Sequence, residues 1–431
     1  MGFYISGIEI NGFWNRYTIK CKFNEDLNII IGKNGSGKTT LMSILINILN
    51  VDLRSIAKND FKKVIIRLSN GTLSRTIKVN KELLDNENNT YKVDYQLSNK
   101  KYTFYISDNY RNFIGRSMMN RGSNHQLLKQ KVSEIIKLSS LSVYRLRNED
   151  EKNLESEGEI KVVSSVDQRL YEIMQRLVSF QLELSNNATV VSDELKKNVL
   201  LSVLYDSSKI DSKYSIEFDK QSETEMLRKA FKQLNILDKA TEKKIKIHVD
   251  SINDLMSKYN KTRENIELDN NESEHEVMLP QLLASFESIK KSRNVFKMSY
   301  KAEEEKKEIF SPVNDFIKLI EDFIENKKFK VDKNGLNVIN KDNDEVDIYK
   351  LSSGEKQIII LLAEALLNKG KNNIYLADEP ELSLHIDWQR KIIPSIKKLN
   401  PDSQIIVATH SPEIAASNRN KMISMKEIFH D

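Results

Sequence analysis

Apolar and polar residues alternate near the start of the chain in the way that is typical of strands. Residues 3–10 and 17–23 predict two short strands, and the second, YTIKCKF, has a clear period of two. The unbroken apolar run at 27–31, LNIII, predicts a buried strand. It leads through a Gly-rich loop into KTTLMSILINIL, which is apolar on most faces of a helix. The pattern predicts a strand–loop–helix unit.

Residues 64–107 have a different pattern. Four strand-like segments, VIIRLS, LSRTIKV, YKVDYQL and KYTFYIS, are separated by short polar stretches that are typical of turns. We predict an antiparallel meander that lies beside the main sheet.

From about 125 to 330 the chain is mostly helical by pattern, with apolar residues at i, i+3, i+4 and i+7. Strand-like segments then return, with helices predicted at 353–369 and 385–398. Alternation of strands and helices predicts a parallel sheet covered by helices. The predicted fold is therefore α/β, with a mostly parallel sheet, an antiparallel β meander and a large helical insertion. The predicted parts are an N-terminal core (1–125), the helical insertion (126–330) and a C-terminal core (331–431).

Composition and charge add limits to this picture. Lys and Arg total 67 and Asp and Glu total 62 in 431 residues, so the net charge of +5 permits contact with nucleic acid without arguing for it. The single cysteine, Cys21, excludes a disulfide framework within the chain. We find no apolar run of the ~18–20 residues needed to span a membrane and no signal-peptide pattern, so a cytoplasmic location without membrane contact is expected.

The segment GKNGSGKT fits the pattern of a phosphate-binding loop. Its glycines let successive backbone N–H groups turn towards one anion at a helix N-terminus. Lys38 can reach the β- and γ-phosphates, and the Thr39 hydroxyl can bind Mg²⁺. The predicted ATP-binding residues are Gly32, Lys33, Asn34, Gly35, Ser36, Gly37, Lys38, Thr39 and Thr40.

Two later strands end in residues suited to phosphate chemistry. In NIYLADEPE, Asp378 can hold Mg²⁺ and Glu379 can act as the general base for an attacking water. In IIVATH, His410 can place an imidazole beside the γ-phosphate, although a lone histidine is more often a packed surface residue. The phosphate loop earlier in the chain makes the catalytic interpretation the stronger one for both.

LSSGEKQ separates this chain from other proteins with a phosphate loop. Ser352, Ser353, Gly354 and Glu355 can open a helix whose positive end faces a phosphate. The same residues could simply cap a helix, with Ser352 as the N-cap. The order of the four motifs along the chain favours the phosphate-binding interpretation.

With these residues in place, the chain resembles the soluble ABC-type ATPases beside the SMC-like and OLD (overcoming lysogenisation defect) proteins. LSSGEKQ and ADEPELSLHIDWQ are particularly similar to stand-alone ATPases of bacterial anti-phage systems, such as PtuA of Septu and retrons and AriA of PARIS. The motif match covers roughly residues 1–50 and 345–415. The resemblance makes Gly32–Thr39 Walker A, LSSGE the signature, Asp378 and Glu379 Walker B, and His410 the switch histidine.

The resemblance also implies a mechanism. In the family, the signature of one chain closes over the ATP held by Walker A of its partner. Ser352 and Gly354 would then act in trans, in a head-to-tail homodimer that holds two ATP molecules with Mg²⁺. Ser383 to His385 falls on the D-loop, which passes across the dimer seam. A higher homo-oligomer is compatible with the same contacts.

Some family features are not identifiable in the sequence. The switch glutamine has two equal candidates, Gln96 and Gln126, and Trp14 and Arg16 lie where relatives contact the nucleotide, although an ordinary surface arginine fits equally well. A single cysteine excludes a Cys-x-x-Cys zinc hook within the chain. Only 21 residues follow His410, so we expect no C-terminal nuclease domain of the OLD type.

The resemblance implies an ATP-driven sensor and scaffold in anti-phage defence that controls a separate effector, a nuclease or a toxin. The alternative is a DNA-repair or chromosome-maintenance ATPase that clamps DNA. DNA or a phage protein are therefore further candidate partners. The large helical insertion and the residue sequence of the LSSGEKQ motif both argue against a subunit of a transporter.

Overall fold

The computed structural model describes residues 2–85, 89–107, 117–140, 164–203, 218–234, 236–266, 272–370, 373–416 and 418–430. The contacts divide the chain into two compact units. One consists of Met1–Gln181 with Val313–Asp431, and the other is Leu182–Pro312. The boundaries predicted from the sequence at 125 and 330 stay predictions.

The strands are β1 Tyr4–Phe13, β2 Tyr17–Lys22, β3 Leu27–Ile31, β4 Lys63–Ser69, β5 Ser74–Asp85, β6 Thr90–Leu97, β7 Lys100–Ile106, β8 Lys137–Ser140, β9 Lys327–Asp332, β10 Gly335–Asn340, β11 Glu345–Val346, β12 Asn373–Asp378, β13 Gln404–Thr409, β14 Met422–Ser424 and β15 Phe429–His430. The α-helices are α1 Lys38–Leu49, α2 Leu53–Lys58, α3 Ser117–Ile135, α4 Ser165–Val203, α5 Lys220–Gln233, α6 Lys239–Ile266, α7 Glu272–Phe323, α8 Ser353–Leu367, α9 Ile386–Leu399, α10 Pro412–Ala416 and α11 Met425–Ile428.

An antiparallel sheet contains the predicted meander. Its strand order is β15-β2-β1-β4-β5-β6-β7, so the meander β4 to β7 continues from β1 and β2. Alternate residues face the core, as the register Ile8↔Ile66, Ile66↔Ile77 and Ile77↔Leu97 shows. The predicted meander is confirmed, and the first two predicted strands belong to the same sheet.

A parallel sheet has the order β14-β3-β13-β12-β8. Its registers place Ile30 beside Ala408, and Ala408 beside Asp378. The carboxyl ends of β3, β12 and β13 therefore meet at one edge, where ligands bind in open α/β sheets. Helix α1 starts at this edge and shares one hydrophobic cluster with residues of both sheets. The predicted α/β fold with a mostly parallel sheet is confirmed.

Strand β8 was not foreseen, because it lies inside the stretch predicted to be mostly helical. It pairs in parallel with β12 from Lys137↔Asn373 to Ser140↔Leu376. The segment KLSS is too short for an alternating pattern to appear. Ser139 also exchanges hydrogen bonds with the buried Asn373, so the strand is specified by a neighbour that lies more than 200 residues away.

Apart from β8 and the start of β9, the described part of the insertion is helical, as predicted. In the unit Leu182–Pro312, the buried residues Leu227, Ile245 and Val249 join α5 to α6. Glu223 is buried there and pairs with Arg293 at 2.6 Å. In the described part of the chain, no helix combines the length and the apolar character that a membrane crossing requires.

Candidate nucleotide-binding site

A pocket of about 510 Å³ opens at the carboxyl edge of the parallel sheet. Such a volume is in the range of small-molecule and cofactor sites. Its lining consists of Trp14, Asn34, Gly35, Ser36, Gly37, Lys38, Thr39, Thr40, Glu379 and His410. The fold therefore brings most of the predicted phosphate loop together with the predicted general base and the predicted switch histidine.

The phosphate loop has the backbone geometry that its glycines permit. Gly35 and Gly37 have φ of 75° and 91°, in the left-handed region that L side chains rarely adopt. A Cβ added to Gly37 would lie 2.9 Å from the Phe13 ring. Gly37 is also the N-cap of α1 and makes no side-chain cap, so the first N–H groups of the helix face the pocket without a capping side chain.

Lys38 lies at the floor of the pocket and is only 4% exposed. Its Nζ donates to the carbonyl oxygens of Gly32 at 2.9 Å and Lys33 at 3.4 Å, and lies 2.6 Å from His410 Nε2. Burial lowers the pKa of Lys38 below its usual value, while the nearby carboxylates of Glu379, Asp378 and Glu381 act in the opposite direction. A buried ammonium group facing the pocket is suited to binding an anion.

Glu379 and His410 face each other across the pocket. His410 Nε2 lies 3.7 Å from Glu379 Oε1. Glu379 has a positive φ of 51°, which is uncommon for a residue other than glycine, and its N–H donates to Ala408 O at 2.8 Å. The bond to β13 stabilises this backbone conformation. The main chain of Glu379 is therefore fixed at the end of β12, and its carboxylate lies beside the imidazole, where it can accept a proton from a water.

The residues predicted to hold Mg²⁺ also lie together. Thr39 Oγ1 donates to Asp378 Oδ1 at 3.4 Å, and Asp378 is 7% exposed at the end of β12. A hydroxyl and a carboxylate beside a phosphate site form the kind of donor set that Mg²⁺ takes, since this ion usually binds one or two protein oxygens plus waters and phosphates. The donor chemistry therefore fits the ion.

The predicted signature residues lie outside the pocket lining of their own chain. Ser352 and Ser353 are exposed at the start of α8, whereas Gly354 is buried and a Cβ there would lie 2.7 Å from Ser383 O. The helix-capping interpretation is also realised, because Ser352 and Glu355 form a capping box. Burial would raise the pKa of Glu355, but hydrogen bonds from Lys327 and Ser352 hold it below its usual range.

The remaining candidates fall in different places. Gln96 lies on β6 and donates to Ser98 O, and Gln126 is exposed on α3, so neither lines the pocket. Arg16 lies over the Tyr17 ring at 5.2 Å, outside the lining. His385 is exposed and caps α9. The switch glutamine stays unassigned in the described residues.

Trp14 does line the pocket. It is 38% exposed, has a φ of 52°, and packs against Phe13 with ring centroids 4.9 Å apart.

Glu381 is a residue of this region that the sequence did not lead us to predict. It is buried and contacts the segment that carries His410. The only signal for it was a third acid directly after the Asp-Glu pair and Pro380.

We expect Trp14→Ala to weaken ATP binding by about 1–3 kcal/mol, the usual contribution of stacking between an aromatic side chain and a base. Loss of the indole removes the pocket's large apolar face while leaving Lys38 in place. Calorimetric titration with ATP would measure the change in Kd. Tyr105→Ala, which removes an exposed aromatic residue outside the pocket, should leave Kd unchanged. An unchanged Kd for Trp14→Ala would show that the base lies elsewhere.

Comparison with known proteins relates the chain to ATPases. Residues 4–415 match the family described as AAA ATPase domain. The chain is 39% identical over 88 residues to the Retron Ec83 probable ATPase of Escherichia coli, which is 18% of this chain and 16% of that protein. It is 32% identical over 96 residues to the Retron Vc95 probable ATPase of Vibrio cholerae serotype O1 biovar El Tor, which is 20% of this chain and 19% of that protein.

A third relative is the Septu protein PtuA of Bacillus thuringiensis, 32% identical over 133 residues, or 28% of this chain and 33% of that protein. The chain thus spans 16% to 33% of the length of these relatives. Among solved structures, an Smc head domain with an extended coiled coil, bound to the C-terminal domain of ScpA and derived from Pyrococcus furiosus, aligns with a TM-score of 0.44 and 16% identity. That alignment covers 96% of this chain and 92% of that one.

Proposed function

The chain belongs to the AAA ATPase domain family, and on that premise we propose that it binds ATP with Mg²⁺ and hydrolyses the ATP at a site that a second copy completes. One observation carries the proposal. The pocket contains Lys38, Glu379 and His410, whereas Ser352 and Ser353 are exposed outside it on the same chain. A signature that lies outside its own pocket is available to another chain, and a two-fold head-to-tail pair would make two equivalent sites.

In the proposed mechanism, backbone N–H groups of the loop and Lys38 bind the phosphates. Glu379 accepts a proton from the attacking water as that water attacks the γ-phosphorus and the bond to the leaving ADP breaks. His410, whose Nε2 lies beside Lys38 and Glu379, would stand next to the γ-phosphate and help to orient Glu379. Thr39 and Asp378 would hold Mg²⁺, which when bound neutralises charge on the β- and γ-phosphate oxygens. The exposed N-terminus of α8 in the partner supplies N–H groups and Ser352 to the same phosphate.

We further propose that the chain is the ATP-dependent sensor and scaffold of an anti-phage defence system and controls a separate effector. The support is the similarity to two retron ATPases and to the Septu protein PtuA. Nucleotide binding would close the pair of chains and hydrolysis would open it, so the effector would respond to the balance between the two states.

Two assays test these proposals together. Purified protein should release phosphate from ATP only with Mg²⁺ present, and the product of a neighbouring gene should co-purify with it. No phosphate release contradicts the ATPase. Phosphate release without a neighbouring partner, stimulated by duplex DNA whose binding weakens steeply with salt, would favour a DNA clamp instead.

A further inference from the structure

Glu381 lies on the turn after β12 and is 8% exposed. Its Oε1 accepts three hydrogen bonds from consecutive residues. The donors are the Thr409 hydroxyl at 2.5 Å, the His410 N–H at 2.9 Å and the Ser411 N–H at 3.1 Å. Placing a carboxylate in the interior is costly unless it is hydrogen-bonded, so the three bonds to Oε1 offset part of that cost, while Oε2 is buried without a hydrogen bond to a described residue.

The three donors are the residues at which the chain leaves β13. Because His410 is the middle one, the carboxylate fixes the peptide from which the imidazole projects. That imidazole lies 2.6 Å from Lys38 Nζ and 3.7 Å from Glu379 Oε1. The direction of His410 therefore depends on a side chain that does not line the pocket.

The turn that carries Glu381 is itself held in place. Gln357 on α8 donates from Nε2 to Pro380 O at 2.7 Å, and the Leu384 N–H donates to Glu381 O at 2.9 Å. On the far side, the Ser411 hydroxyl donates to Gln389 on α9 at 2.7 Å. Contacts with α8 and α9 therefore hold in place both the turn that carries Glu381 and the segment that its carboxylate binds.

We propose that Glu381 is a positioning residue for ATP hydrolysis, which fixes the exit from β13 so that His410 is directed at Lys38 and Glu379. The inference rests on the proposed function. Since Glu381 does not contact the pocket, its loss should misdirect His410 without removing a phosphate contact. Misplacement of a catalytic group by about 1 Å costs on the order of 10²-fold in rate.

The test compares steady-state kcat and KM for ATP in five variants, one of which, His410→Ala, serves as the reference for loss of the imidazole. Glu381→Ala should lower kcat by about 10- to 100-fold with little change in KM or in ATP binding. Glu381→Gln keeps an acceptor oxygen at the same place and should restore most of kcat. Thr409→Val removes one donor at constant volume and should lower kcat by a smaller factor. Glu223→Ala removes another buried, bonded carboxylate, in the Leu182–Pro312 unit, and should leave kcat and KM unchanged.

Each outcome is decisive. A parental kcat in Glu381→Ala overturns the inference. An equal loss of kcat in Glu381→Ala and Glu381→Gln, together with loss of ATP binding, overturns it as well, because that pattern indicates a general structural role. Should Glu381→Ala fail to fold, Thr409→Val decides: a lowered kcat at unchanged KM supports the inference, and a parental kcat overturns it. If the unmodified chain hydrolyses no ATP, the proposed function fails first. Hydrolysis that is lost in His410→Ala but kept in Glu381→Ala defeats this inference alone.

Discussion

Glu379→Gln is expected to lower ATP turnover by about 10²- to 10⁴-fold, the usual contribution of a general base. The amide has almost the same shape as the carboxylate but cannot accept the proton of the attacking water. Nucleotide binding should persist, since Lys38 and the loop N–H groups are unchanged. ATP should therefore remain bound, and the closed pair of chains should accumulate.

The measurement combines phosphate release with light scattering in the presence of Mg²⁺ and ATP. Asp193→Asn is a suitable control, because this exposed carboxylate pairs with Lys196 in the unit Leu182–Pro312 and does not line the pocket. The control should hydrolyse ATP like the parent. A Glu379→Gln protein that turns over at the parental rate would exclude the general-base role, and one that stays monomeric with ATP would contradict the head-to-tail pair.

Lys38→Ala is expected to weaken ATP binding by roughly 1.5–3 kcal/mol, or about 10- to 150-fold, which is typical for a hydrogen bond to a charged group. Lys38 is buried and is the only lysine among the described residues that line the pocket. Hydrolysis should fall at least as far, because bound ATP is required for every later step.

Lys397→Met provides the matched control for Lys38→Ala. Lys397 is a half-buried lysine whose Nζ, like that of Lys38, donates to main-chain carbonyls, those of Pro401 and Ser403 just beyond the end of α9. Its replacement should lower thermal stability and leave the Kd for ATP unchanged. Equal ATP affinity in Lys38→Ala and the parent would exclude a phosphate-binding role for Lys38.

Much of the site could be predicted because its signals are local. The phosphate loop is one strand, one turn and one helix start, and the conformations of Gly35 and Gly37 follow from short-range sterics. Asp378 and Glu379 directly follow a buried strand. Parallel strands place their carboxyl ends at one edge, so the meeting of these residues with His410 followed from the predicted sheet.

The missed features depend on contacts between distant parts of the chain. Strand β8 is specified by pairing with β12, and no alternating pattern of its own marks it. The role of Glu381 appears only when the turn after β12 meets the end of β13, which is about 30 residues further along. Local sequence patterns carry no information on such partners, because any acid after Pro380 would look the same.

LSSGEKQ illustrates a different limit, in which two interpretations of one motif are compatible. Ser352 caps α8 in its own chain, and the exposed end of that helix can still receive a phosphate from another. Helix capping by Ser352 is visible in the structure of a single chain. Phosphate binding in trans is a property of two chains and has to be tested on two chains.

Mixing two inactive variants tests the head-to-tail site most directly. Lys38→Ala removes the cis half of the site, and Ser352→Arg blocks the trans half with an exposed bulky cation. After subunit exchange, verified by co-purification of differently tagged chains, each mixed pair contains one intact site and one doubly altered site. We predict that the mixture recovers about a quarter of the parental ATPase activity, since half of the pairs are mixed and each has one of two sites. A mixture that exchanges subunits yet remains as inactive as the separate variants would contradict the account.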